Sequence, residues 1–230
     1  HYCGTIVKFF KKLLFSYNLP MIRVLLTGGG TGGHVYPLLA VARELKQLAA
    51  IKGMDLELRY FGPKDIFNFY INSEGIRTRT IAGGKLRRYF SWLNILDIPR
   101  FFWSLIQSLW LVFWWLPDVV FSKGGTGALP VLWACRFYRV PVVIHESDSV
   151  PGLTNRLSAK LAAIVEIAWP SAADYLRRPD RPDLKINLTG QPVRAELLKP
   201  IAQTDARRSF GLAPDKPTIF VNGSSQGSVR

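Results

Sequence analysis

Five glycines and a histidine sit together in Gly28-Gly-Gly-Thr-Gly-Gly-His34, directly after the apolar run that ends at Thr27. A glycine turn between a strand and a helix presents backbone N–H groups at the positive end of the helix. Glycine lets an anion approach that backbone and permits positive φ. The chemistry suggested is the binding of a phosphate, a nucleotide or a sugar diphosphate. Gly28, Gly30 and Gly33 also satisfy G-x-G-x-x-G. A dinucleotide site needs, in addition, an acidic residue about 20 residues on, at the end of the second strand. Here that strand runs into Gly62-Pro63-Lys64, and Asp65 comes late, where it serves equally well to cap the next helix. This disfavours NAD or FAD and a nicotinamide-dependent oxidoreductase. His34 follows the loop directly, and its side-chain class suits proton transfer near neutral pH. It is the best candidate base by residue type.

The elements that would position these residues alternate. Strand-like runs are Val24–Thr27, Leu56–Phe61, Arg79–Ala82, Val119–Ser122, Val142–His145, Ile164–Ile167 and Lys185–Leu188. Helical patterns fall at 35–48, 65–74, 93–115, 128–138 and 153–162. Such alternation predicts an α/β fold with a parallel, doubly wound sheet. Ligands of such sheets bind at the carboxyl ends of the strands. The polar and glycine-rich loops Gly28–His34, Lys123–Thr126, His145–Gly152 and Gly190–Arg194 all follow strands. Thr218–Asn222 reads as one more strand, leading into a further glycine turn at Gly223. Pro179, Pro182, Pro192 and Pro200 mark a loop-rich stretch near a domain boundary.

The formal charge is +14 and 48% of residues are hydrophobic. That balance allows a sizeable core and calls for an anionic partner: a phosphorylated substrate, an acidic membrane surface or nucleic acid. No nucleic-acid motif supports the last. Cys3 and Cys135 offer no disulfide framework, which fits a reducing compartment. His1, His34 and His145 are scattered, so no metal-ligand cluster is expected. Residues 1–20 lack the apolar core of a secretory signal. They read as a non-native or disordered extension ahead of a natural start at Met21, or else as a short amphipathic membrane helix.

Residues 101–116, FFWSLIQSLWLVFWWL, are too short for a membrane span, which needs about 18 apolar residues. Ser104, Gln107 and Ser108 share one helical face, and the rest of the circumference is apolar. A helix packed on a sheet should keep one side wet. Yet Trp103, Trp110, Trp114 and Trp115 cannot all face a sheet. Upstream lie Lys85, Arg87 and Arg88 among aromatic residues. Basic side chains beside an apolar aromatic surface suit an anionic membrane interface.

Several blocks together resemble the MurG family, the UDP-N-acetylglucosamine–N-acetylmuramyl-(pentapeptide) pyrophosphoryl-undecaprenol N-acetylglucosamine transferases. They are GGGTGGHVYPLLAVARELK from Gly28, PDVVFSKGG from Pro117, PVVIHESDSVPGLTNRLSAK from Pro141, TGQPVR from Thr189 and GSSQG from Gly223. They occur in the family's order. The resemblance implies a GT-B fold: a complete Rossmann-like acceptor and membrane-binding domain at 21–195, then a linker and the truncated start of a donor-binding domain at 196–230. It implies inverting transfer of GlcNAc from a UDP-GlcNAc donor to the muramyl 4-hydroxyl of an undecaprenyl-linked muramyl-peptide acceptor (lipid I), giving lipid II. No cofactor is implied. The expected place is the cytoplasmic face of the bacterial inner membrane, held peripherally at its anionic surface by Lys85, Arg87, Arg88, Trp103 and Trp110. The alternatives are a GT-B enzyme with another glycolipid acceptor and a non-catalytic membrane-binding fragment.

By the same resemblance Thr31, Gly32 and Gly33 belong to a substrate-binding glycine loop. Arg194 matches a donor-contacting arginine, and Ser225 matches the serine of a loop near the donor phosphates. Asp148 stands where the family usually has asparagine. An ionised aspartate accepts hydrogen bonds but cannot donate them, so Asp148 is both a substrate contact and a weaker candidate base. Gly124-Gly-Thr-Gly-Ala-Leu-Pro130 departs from the family's glycine-tyrosine block. His34 is the candidate base, or else orients its loop or meets the acceptor pyrophosphate. His145 reads as structural, a loop-fixing residue.

Overall fold

The computed structural model describes residues 21–83, 93–125 and 127–221, apart from the side chains of residues 93–96 and 195. The 1–20 extension, Lys85, Arg87, Arg88 and Ser225 lie outside the described residues. Seven strands form one sheet: β1 (Met21–Gly29), β2 (Asp55–Pro63), β3 (Arg77–Ile81), β4 (Val119–Gly125), β5 (Val142–Glu146), β6 (Ile164–Ile167) and β7 (Lys185–Leu188). Their order is β3-β2-β1-β4-β5-β6-β7, and every neighbouring pair is parallel. The helices are α1 (Gly32–Lys52), α2 (Phe67–Ser73), α3 (Leu93–Trp115), α4 (Ala128–Phe137), α5 (Leu153–Ala159), α6 (Ala172–Leu176) and α7 (Gln203–Ser209), with a 3₁₀ turn at Ala195–Leu198.

The central strands are apolar almost without interruption because both faces are covered. In β1, Val24 and Leu26 join one core with Val35, Leu38 and Leu45 of α1 and Phe67 and Ile71 of α2. Leu25, between them, joins the opposite core with Val112 and Trp115 of α3 and Val131 and Leu132 of α4. The same alternation divides Phe121 from Val120 in β4 and Val143 from Ile144 in β5. Three layers result, helix–sheet–helix. The chain builds β2 and β3 to one side of β1, then returns to build β4 to β7 on the other. The carboxyl ends of β1 and β4 therefore flank the point where the winding reverses, which opens a crevice there.

Three local expectations need correction. First, β1 runs on through Gly28 and Gly29, with Gly29 in register with Gly125, and α1 starts at Gly32 rather than at 35. The residues expected to form the turn are mostly strand end and first helical turn. Lys123, Gly124 and Gly125, expected in a loop, likewise end β4. Second, the polar stripe of α3 faces inward. Ser104 and Ser108 are fully buried, and the Ser108 hydroxyl donates to the Ser104 carbonyl at 2.7 Å. Gln107 Oε1 accepts from the Ala82 N–H at 2.8 Å. Small serines bring the helix close to its neighbours, while Phe102, Trp103, Ile106, Trp110, Phe113 and Trp114 are left exposed. Of the four tryptophans only Trp115 turns in, its Nε1 donating to Glu57 Oε2 at 3.0 Å. Third, Thr218–Val221 forms no strand: nothing among the described residues pairs with it, and Ile219, Phe220 and Val221 are exposed. A strand exists only through a partner, which its own sequence cannot supply.

Candidate functional site

Two glycine backbones meet at the reversal point. Gly125, at φ +87°, lies so close to β1 that a Cβ there would land on the Gly29 carbonyl and come within 3.1 Å of His34 Nδ1. Gly124, at φ +78°, faces the Asn155 amide in the same way. Both conformations are costly for side chains other than glycine. From β2 the Tyr60 hydroxyl donates to the Gly28 carbonyl. Burial raises the pKa of that phenol, so it stays a neutral donor.

Asp65 does two things here. Its Oδ1 accepts from the Phe67 N–H at 2.9 Å and caps α2; its Oδ2 accepts from the Gly30 N–H at 3.1 Å. The carboxylate clips the glycine loop to the next helix, so it is not a ribose-binding acid. The N–H groups left for a ligand are those of Gly32 and Gly33, the first two residues of α1. Among the described residues no protein acceptor takes them. They are the orphan donors of a helix start, at the positive end of a 21-residue helix.

Thr31 is the N-cap of α1 but makes no side-chain capping bond. Its hydroxyl lies 2.8 Å from His34 Nδ1 instead. Where Nδ1 carries the proton and donates to Thr31 Oγ1, Nε2 keeps a free lone pair and can accept a proton. The His34 pKa is lowered, first by burial and then by the Lys123 charge, with Asp148 acting against both. The imidazole is therefore neutral near neutral pH, the form a base needs.

The loop after β5 is organised by Glu146, which is buried. Its Oε1 accepts from the Asp148 N–H at 2.8 Å, and its Oε2 accepts from the Asn155 side chain at 3.0 Å and the Gly152 N–H at 3.3 Å. Asp148, held by this frame, is exposed. His145 is wholly buried: its Nε2 lies 2.9 Å from the Gly190 carbonyl and its Nδ1 2.9 Å from Lys123 Nζ. Burial, reinforced by the Lys123 charge, holds its pKa down at about 3, so it is a neutral strut. Lys123, 2% exposed, is lowered to about 8 by burial, opposed by Glu146 and Asp148. Arg194 is exposed, its guanidinium 5.4 Å above the Tyr36 ring of α1.

Thr31, Gly32, Gly33 and His34 thus share the start of α1. Asp148 reaches them through its charge, and Arg194 through Tyr36. Trp103 and Trp110 lie apart, on the exposed face of α3. Sequence reasoning did not single out Lys123, Glu146 or Asn155. The one signal available was a charged residue closing each of two apolar strands, where a solvated end is the ordinary reading. No group of His, Cys, Asp and Glu among the described residues could hold a metal ion.

The glycine contacts separate folding from ligand access. A Cβ on Gly33 would meet only Thr31 Oγ1, at an ordinary 3.7 Å. Gly33→Ala is predicted to change stability by less than about 1 kcal/mol, whereas Gly125→Ala should cost about 2–4 kcal/mol through its φ and the Gly29 clash. Thermal melts of the two variants beside wild type check the ranking; equal losses would contradict it.

Residues 24–167 match the glycosyltransferase family 28 N-terminal domain. A Clostridium kluyveri (strain ATCC 8527 / DSM 555 / NBRC 12016 / NCIMB 10680 / K1) protein named UDP-N-acetylglucosamine--N-acetylmuramyl-(pentapeptide) pyrophosphoryl-undecaprenol N-acetylglucosamine transferase is 37% identical over 209 residues, covering 90% of this chain and 56% of that protein. A Clostridium tetani (strain Massachusetts / E88) protein of the same name is 36% identical over 207 residues, covering 90% and 54%. The chain spans about half the length of the curated relatives it matches. The crystal structure of Acinetobacter baumannii MurG superposes with a TM-score of 0.59 at 23% identity, covering 85% of this chain and 50% of that one. A UDP-N-acetylglucosamine 2-epimerase from Rickettsia bellii gives 0.55 at 15% identity, covering 84% and 52%. At these identities the structures attest the fold alone.

Proposed function

This chain belongs to the glycosyltransferase family 28 N-terminal domain family, and we propose that it forms the acceptor side of an enzyme that transfers GlcNAc from UDP-GlcNAc to the muramyl 4-hydroxyl of lipid I. The observation that carries the reading is the placement of His34: a neutral imidazole fixed by Thr31, set beside the Gly125 backbone at the reversal point of the sheet. The names of its curated relatives point to the same donor and acceptor. The orphan N–H groups of Gly32 and Gly33 take the acceptor's pyrophosphate. The acceptor hydroxyl gives its proton to His34 Nε2 as its oxygen bonds to the anomeric carbon. The bond to UDP breaks on the opposite face, with inversion, and UDP leaves with the bonding pair. Asp148 accepts a sugar hydrogen bond and is the weaker base. Arg194 meets the donor from the end of β7 as a charge-assisted donor, and Ser225 belongs with it near the donor phosphates. No metal takes part in the proposed steps.

The exposed face of α3 gives the acceptor's lipid a surface to lie beside. Trp110 and Trp114 pack edge to face at 5.5 Å, and Phe113 continues the patch to Tyr138, which follows α4. No helix among the described residues is long and apolar enough to cross a membrane. The proposed attachment is peripheral, on the cytoplasmic face of the inner membrane, with Trp103 and Trp110 in the interface and Lys85, Arg87 and Arg88 on anionic headgroups.

The transfer reading is tested on the chain joined to the part of the Clostridium kluyveri relative that it does not span, with UDP-GlcNAc and a lipid I analogue. His34→Ala should lower kcat by about 10²–10⁴-fold with little change in KM. The kcat/KM of the parent should fall as pH drops through a midpoint below the ordinary histidine value of 6.5, because the protonated ring cannot act as base. A His34→Ala protein with full activity, or a rate that rises as pH drops there, would show that His34 is not the base.

The membrane reading is tested on vesicles containing an anionic phospholipid. Trp110→Ser/Trp114→Ser should weaken binding roughly tenfold or more, and Lys85→Ser/Arg87→Ser/Arg88→Ser should remove its salt dependence. Unchanged binding by both variants would sink the attachment.

A further inference from the structure

We infer that Lys123 is a positioning residue whose buried ammonium ties the end of β4 to the loops after β5 and β7 and thereby places the segment Gly190–Arg194 along the crevice. Its link to transfer rests on the reading above; the clasp itself does not.

A lysine 2% exposed in a strand covered on both faces is expensive unless its ammonium is bonded. Two arms leave Lys123 Nζ. One goes to His145 Nδ1, and His145 Nε2 continues to the Gly190 carbonyl. A carbonyl only accepts, so Nε2 carries the proton and Nδ1 must accept from the lysine. The other arm donates to Ser147 Oγ, whose own proton goes on to Gln191 Oε1 at 2.6 Å. Both arms start at one nitrogen and end on adjacent residues of one segment. A methionine at that position supplies no donor to either arm.

The segment so held leads away from the edge strand β7 and back to α1. Its far end rests there, with Arg194 stacked on Tyr36 and Glu196 accepting from Arg43 at 3.0 Å. It is a strap with two anchors: the Lys123 clasp, and the face of α1 two residues beyond His34. The same ammonium acts on His34 across the crevice. The charged groups around it are Glu146 and Asp148, which favour its charge, while His34 and His145 are both held neutral beside it. One cation therefore fixes the strap and helps to keep the candidate base unprotonated.

The experiment uses the 230-residue chain, by nitrogen-15 NMR of the histidine rings and amide exchange. In wild type His145 should show a single tautomer with the proton on Nε2. Lys123→Met should leave the proton on Nε2, where the Gly190 carbonyl fixes it, but shift the Nδ1 resonance as that nitrogen loses its donor, and speed exchange of the Thr189 and Gly190 amides, both bonded to the Ile167 carbonyl, by about tenfold, the scale of one buried charged hydrogen bond. It should also raise the titration midpoint of His34; Lys123→Arg should bring that midpoint back towards wild type. A role in packing alone would leave the His34 midpoint where it was. If Lys123→Met fails to fold by circular dichroism, Ser147→Ala decides: it cuts one arm at the rim and should speed Gly190 exchange while core amides stay protected. An unchanged Nδ1 resonance and unchanged exchange in a folded Lys123→Met, or unchanged exchange in Ser147→Ala where that variant decides, would overturn the clasp. These readouts need no substrate, so their failure leaves the transferase reading standing, and failure of transfer leaves the clasp standing.

Discussion

Everything at the crevice depends on two backbones coming closer than side chains allow. Gly29 and Gly125 are paired across β1 and β4, and the space a Cβ would need at Gly125 is taken by the Gly29 carbonyl and the His34 ring. Because the strands stay in contact this far along, β1 ends late and α1 begins almost at once. That short junction aims the first N–H groups of α1 into the crevice and seats His34 over the partner strand. A longer or bulkier junction would separate the helix start from β4, and with it the imidazole from the charges of Lys123 and Asp148.

Charge is arranged around that contact in opposition. Asp65 occupies one amide of the glycine loop and leaves two for a ligand. Glu146 spends both oxygens on the frame of its own loop and holds exposed Asp148 in place. Lys123 sits between these carboxylates and two neutral histidines. Buried charge is costly, and it persists where it is both paired and hydrogen-bonded. Here Glu146 orders the loop after β5, and Lys123 joins that loop to the one after β7.

Much of the scaffold was legible. Ile164–Ile167 and Lys185–Leu188 were read with the bounds the structure has, because a short β-branched run in the first and apolar–polar alternation in the second, each between turn residues, leave little choice of element. The parallel sheet followed from the alternation of strands and helices, and the crevice from the loops after the strands. Periodicity could not tell which side of α3 is inside: Ser104 and Ser108 look like the wet face, yet both are buried, the Ser108 hydroxyl bonds to backbone, and small side chains let the helix pack closely. The glycine loop was visible as composition, but its division into strand end and helix start depends on pairing with Gly125, almost one hundred residues away. Lys123 and Glu146 were missed for the same reason. Their partners lie on other loops, and a charged residue closing a strand is ordinarily solvated. Thr218–Val221 shows the converse, a run with strand-like residues and no partner among the described residues.

The central claim is that the start of α1 is an anion site facing His34. It is tested most directly by titrating the 230-residue chain with a water-soluble prenyl diphosphate and following backbone and histidine-ring resonances. The account predicts saturable shifts centred on the Gly32 and Gly33 amides and the His34 ring, absent with the corresponding prenyl alcohol. Shifts centred elsewhere, as at the arginines of the loop before β7, or the same response to the alcohol, would contradict it.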